Sequence, residues 1–92
     1  MSSPFYVRVE VADRPGVLAL VALRLAAQGV SIARLVQHQA GDGATIHIVT
    51  HEAPEGQLRD ALAEIDALEE TRAAASAMPV ISDRGVAELG WR

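Results

Sequence analysis

Ninety-two residues, half of them hydrophobic, make one small domain. A net charge of −4 argues against nucleic-acid backbones and anionic membranes as partners. The absence of cysteine excludes disulfides, thiolate metal sites and thiol nucleophiles. A domain of this size buries only roughly 60–65% of its unfolded surface, so it gains from a partner. With one Phe, one Tyr and one Trp, its core is built from Val, Leu, Ile and Ala. Met1-Ser2-Ser3-Pro4 has no basic region leading into a long apolar run, and no stretch has the length of a membrane span. A cytoplasmic location is expected. The chain divides into a lead over 1–4, a domain over 5–81 and a tail over 82–92.

The first element is a strand. Phe5, Val7, Val9 and Val11 alternate with Tyr6, Arg8 and Glu10, giving one covered face and one polar face. Asp13-Arg14-Pro15-Gly16 breaks the pattern. Pro15 suits the first turn of a helix, Asp13 suits the cap, and Gly16 allows close approach of a backbone or a ligand. A helix start of this kind is either a plain strand-to-helix turn or an anion site.

Val17 to Gln28 reads as a helix in which only Arg24 and Gln28 are polar. A helix on the surface of a monomer shows a polar half. This one asks for a second cover, most simply another copy of itself, so a homodimer through helix 17–28 is expected. Gln28-Gly29 ends it. Val30 to Gln39 is the second strand, with a bulge or an edge position suggested by adjacent Leu35 and Val36. A turn at Ala40 to Gly43, with Asp42-Gly43 in it, leads to a third strand over Ala44 to Thr50. Pro54 opens an amphipathic helix to about Leu68, its stripe formed by Leu58, Ala61, Leu62 and Ile65. Ala74 to Ile81 is a weaker last strand, and Pro79 puts it at a sheet edge. The order βαββαβ, with right-handed crossovers, predicts an α+β fold of ferredoxin-like topology: a four-stranded antiparallel sheet with two helices on one face.

That fold hosts many functions, so the site decides. A nucleic-acid-binding version stacks bases on central-strand aromatics, where this chain offers Arg8, Glu10, Thr45 and His47. His47 and His51 lie four apart on an extended chain, roughly 13 Å, too far for one metal. His38 falls near His47 only if the hairpin register allows it, and no metal site is expected. The sequence shows no Ser–His–Asp arrangement and no Gly-rich dinucleotide loop, so no catalytic residue and no cofactor are assigned.

Val9-Glu10-Val11-Ala12-Asp13-Arg14-Pro15-Gly16-Val17-Leu18, followed by Gln28-Gly29-Val30-Ser31-Ile32, resembles an ACT domain, a small regulatory module of amino-acid metabolism. Val49-Thr50-His51-Glu52-Ala53 and Leu62 to Leu68 make it most similar to the C-terminal regulatory domain of bacterial homoserine dehydrogenase. Glu69-Glu70-Thr71 departs from that pattern, where Val residues are usual. The resemblance implies pairing side by side through helix 17–28 and strand 30–39. It implies an amino-acid effector at the pair's interface, L-threonine in the first place, and a catalytic region of a parent NAD(P)-linked enzyme as partner. By position, Asp13 would take the effector's amino group. The N–H groups near Gly16 to Leu18, Val17 among them, would take its carboxylate, and Arg14 belongs to the same ligand-binding set. Ser31 and Gln37 would reach it from the other copy. Two alternatives stand beside this: a dimerisation module without a ligand, and a free-standing ACT protein with another effector.

Overall fold

The computed structural model describes residues 1–80. The tail over 82–92, and the last residue of the strand expected over 74–81, lie outside the described residues. The elements run β1 (Ser2–Ser3), β2 (Phe5–Ala12), α1 (Val17–Ala27), β3 (Ile32–Ala40), β4 (Gly43–Thr50), β5 (Ala53–Pro54), α2 (Glu55–Asp66) and β6 (Ser76–Pro79). The main sheet has the order β3-β4-β2-β6, antiparallel throughout. This is the expected ferredoxin-like topology. The lead is built into the fold, since β1 pairs with β5 and the Met1 carbonyl accepts from the Glu55 N–H at 2.9 Å. No helix among the described residues is long and apolar enough to cross a membrane.

The alternation of β2 settles which face is covered. Val7, Val9 and Val11 join Ile46 and Ile48 of β4 beneath the helices, where they meet Val17, Val21 and Leu25 of α1 and Leu58, Ala61 and Ile65 of α2. The helical residues recur at three- and four-residue intervals, so one stripe of each helix fills the core. Thr50 is the one buried polar residue among those described, and its hydroxyl accepts from the Phe5 N–H at 3.0 Å.

The helix ends differ. At the C-terminus of α1, Gly29 has φ 75, and the N–H groups of Gly29 and Val30 bond to the carbonyls of Ala26 and Leu25. This is the glycine stop expected from the sequence, closed by paired bonds. At the N-terminus, Gly16 is the cap residue, with φ 87 and no side-chain cap. Two expectations are corrected here. Pro15 lies before the helix, and Asp13 does not cap it, because its carboxylate accepts instead from Gln39 Nε2 on β3.

The hairpin between β3 and β4 is tighter than expected. Ala40 pairs with Gly43, so the loop is Gly41-Asp42. The irregularity in β3 falls between Ile32 and Arg34 rather than at Leu35-Val36, and β3 is an edge strand. Asp42 bonds Arg72 at 2.8 Å, tying the hairpin to the segment after α2. The Arg72 guanidinium, first through this hydrogen bond and then through its charge, holds the exposed Asp42 carboxyl below the ordinary carboxylate range. The interaction therefore favours the fold above the ordinary carboxylate pKa and is lost as pH falls through the lowered one. Arg72→Ala is expected to return the Asp42 titration, followed by NMR, towards the ordinary range.

Gly43 is buried at this junction. A Cβ there would meet Arg72 Nη1 at 2.9 Å and the Val11 carbonyl oxygen at 3.0 Å. The guanidinium can swing away, but the backbone oxygen cannot. Gly43→Ala is expected to cost about 1–3 kcal/mol, the usual range for overpacking, read as a lower urea midpoint.

Candidate functional site

The residues singled out from the sequence gather at two ends of one flank, where α1 lies beside edge strand β3. At the first end, Asp13 and Arg14 are exposed in the β2–α1 turn. The turn is held by its own backbone: the Arg14 N–H bonds the Ala12 carbonyl at 3.1 Å, and the Val17 N–H bonds the Arg14 carbonyl at 3.3 Å. Leu20 N–H reaches the Gly16 carbonyl at 3.1 Å. Helix geometry leaves the N–H groups of Leu18 and Ala19 over, and no side chain caps them. They carry the partial positive charge of the helix start, a few residues from the Asp13 carboxylate.

Val17 enters this end through its backbone. Its side chain is only 4% exposed and belongs to the core, so what it brings to this end is backbone position. Leu18 is 37% exposed and borders the turn. Gly16 matters through its left-handed backbone rather than through crowding, since a Cβ added there would meet nothing within 4 Å. Gly16→Ala is therefore expected to cost roughly 1–2 kcal/mol by backbone strain alone, with Gly16→Asn losing less, as measured by thermal unfolding.

Gln37 lies on the helix-side face of β3, opposite Ile46 and beside Leu35 and Gln39. It is exposed because the two helices of a single chain do not cover this edge. Gln39 is absent from the residues expected at the site, yet it donates to Asp13. The available signal is its two-residue spacing from Gln37, which places both on one face.

Ser31 is at the other end. It precedes β3, and its carbonyl accepts from the His51 N–H at 2.8 Å. With Ala22, Ala26, Gly29, Val30 and Ile32 it lines an open groove of about 480 Å³. Six residues of extended chain, roughly 20 Å, separate it from Gln37. A single chain thus brings Asp13, Arg14, Gly16, Leu18 and Gln37 to one end and leaves Ser31 at the far one. Between the ends, α1 presents Leu18, Ala22 and Ala26 towards β3, with Leu23, 60% exposed, farther out.

Among the described residues no cluster of three or more His, Asp or Glu side chains has the arrangement of a metal site. The flank instead offers a carboxylate, free helix-start N–H groups and two side-chain amides. A carboxylate can receive a cation, helix-start N–H groups can receive an anion, and amides can serve either.

Comparison with known proteins gives the family. The ACT domain family model matches residues 5–70. The chain is 40% identical over 70 residues to the homoserine dehydrogenase of Pseudomonas aeruginosa, covering 73% of this chain and 16% of the relative. It is 42% identical over 79 residues to that of Synechocystis sp., covering 85% and 18%. The solved structure of a homoserine dehydrogenase from Thiobacillus denitrificans superposes with a TM-score of 0.78 at 29% identity, over 86% of this chain and 17% of that one. The chain spans less than a fifth of the length of these relatives. It belongs to the ACT domain family, as a regulatory domain related to homoserine dehydrogenases.

Proposed function

We propose that the chain senses an amino acid, L-threonine in the first place, as a homodimer, and that it exerts feedback inhibition on a homoserine dehydrogenase, an NAD(P)-linked oxidoreductase of aspartate-family biosynthesis. The observation that carries the reading is Asp13 standing exposed beside the uncapped first turn of α1. A carboxylate receives an ammonium group, and helix-start N–H groups receive a carboxylate. A free amino acid carries both. The homoserine dehydrogenase relatives supply the choice of pathway, and threonine follows from the resemblance to their regulatory domains.

Two features support the dimer. The outer face of α1 is apolar, and β3 is a nine-residue edge strand with an exposed backbone edge and no proline. The opposite edge, β6, has four residues and ends in Pro79. Unprotected edges invite another strand. Two β3 strands paired antiparallel about a two-fold axis would make an eight-stranded sheet and set α1 on its twin. That pairing brings the Ser31 end of one copy to the Gln37 end of the other, which completes the site.

A second reading is favoured by one contact. Gln39 already satisfies Asp13, so the flank is complete without a ligand and the domain would serve only to dimerise its parent. Thermal unfolding with and without L-threonine separates the two. At 100 times the dissociation constant a ligand that binds only the folded state adds about 2.7 kcal/mol. For a domain of this size that is a rise in Tm of about 10 °C or more. No rise with any of the common amino acids leaves the dimerisation reading.

A further inference from the structure

The sheet face turned away from the helices has its own constellation. Its cross-strand rows are fixed by register. One row holds Arg8, His47 and Val36, and the next holds Glu10, Thr45 and His38. His38 and His47 are therefore diagonal neighbours on adjacent strands, close enough for side chains to meet. Their ring centroids are 5.4 Å apart, with the planes at 77°. On the other side of His47, the Tyr6 hydroxyl lies 2.6 Å from Nδ1 and its ring stacks on the imidazole at 5.9 Å. His47 is half-buried between them and His38 is exposed.

We propose that His38 and His47 form a two-imidazole site for a divalent transition-metal ion on the open face of the sheet, with Tyr6 holding the His47 ring.

The spacing fits. At a metal–nitrogen distance of about 2.0–2.1 Å each ring centroid stands about 3.2 Å from the ion, and a tetrahedral angle puts the two centroids about 5 Å apart. A near-perpendicular crossing of the planes is compatible with two ligands on one tetrahedral ion. The Tyr6 contact supplies orientation. When Tyr6 accepts from Nδ1–H, the lone pair of His47 Nε2 is free to ligate. An outer partner on the second ring nitrogen is the usual device for fixing a ligating histidine. The charges nearby are mixed: Arg8, across from His47, is engaged by Glu10 at 3.4 Å, Glu10 shares a row with His38, and Arg34 stands on the same face in the next row, opposite Val49. Two nitrogens with water completing the shell select borderline ions such as Zn²⁺ over Mg²⁺ or Ca²⁺. The site lies across the sheet from the Asp13 flank and does not depend on an amino-acid effector.

The same geometry would arise from edge-to-face packing of two rings, so the test must remove the nitrogen and keep the ring. His38→Phe does this at an exposed position that tolerates an aromatic residue. Calorimetric titration of the full chain with Zn²⁺ is expected to give micromolar binding of one ion per chain, with no response to Mg²⁺. His38→Phe and His47→Gln are each expected to weaken Zn²⁺ binding at least tenfold. Tyr6→Phe is expected to weaken it by about tenfold, the smaller end of outer-partner effects. His51→Gln, outside the cluster, should leave it unchanged. Circular dichroism checks that every variant is folded. Binding unchanged in folded His38→Phe, an equal loss in His51→Gln, or no Zn²⁺ binding below millimolar concentration would each overturn the proposal.

Discussion

Ala26→Glu is expected to convert the dimer into a folded monomer. Ala26 is exposed on α1 and lines the groove beside Ser31 and Ile32. In the single chain a glutamate there points to water and suits a helix, so secondary structure should be unchanged and Tm should fall only by the stabilisation that pairing supplies. In the dimer the same position is covered, and two-fold symmetry places the new charge in the interface twice. Burying unpaired charge costs several kcal/mol. At 1.4 kcal/mol per factor of ten, the dissociation constant of the dimer should rise by at least about 100-fold, seen by sedimentation equilibrium. The matched control is Ala63→Glu on the exposed side of α2, which should leave the dimer intact. If Ala26→Glu and Ala63→Glu behave alike, α1 is not the interface. The monomer should also lose the response to threonine, because Ser31 and Gln37 then have no means of meeting.

Asp13→Ala is expected to abolish the threonine response without touching the dimer. The carboxylate is exposed and its partner among the described residues is Gln39, so its removal should cost the fold little. Loss of one side of a charge-paired contact costs roughly 2–5 kcal/mol in binding, or a weakening of about 30-fold to 1000-fold or more. Asp13→Asn can still accept from Gln39 but has no charge. A loss as great in Asp13→Asn as in Asp13→Ala identifies charge rather than the turn's hydrogen bonding as the recognition element. In the parent enzyme the same change should relieve inhibition while leaving uninhibited turnover alone, since coupling of this sort is a separate free energy of about 1–3 kcal/mol.

Much of the fold was legible because periodicity and punctuation agreed. The alternation of Phe5 to Val11, the Gly29 stop, the stripe of α2 and the edge position forced by Pro79 all express local rules that tertiary packing did not override. The apolar outer face of α1 was legible for the same reason, as a pattern with no polar side. Features that rest on a long-range choice were not legible. Asp13 had two competing uses, a local cap and a bond across to Gln39, and only the approach of β3 to the turn decides between them. The bulge position depended on how β3 registers against β4, whereas the edge position that adjacent Leu35 and Val36 also suggested is the one β3 takes. The meeting of His38 and His47 had the same dependence on register. At the effector flank, composition indicated which residues to watch. It could not indicate that Gln37, expected to reach in from the other copy together with Ser31, stands beside Gln39 at the Asp13 end of its own chain.

Native mass spectrometry of the chain with L-threonine tests pairing and occupancy in one spectrum. The account predicts a two-chain species that takes up threonine, and a one-chain species, in Ala26→Glu, that takes up none. Threonine bound to single chains, or a two-chain species that stays empty at saturating threonine, would contradict it.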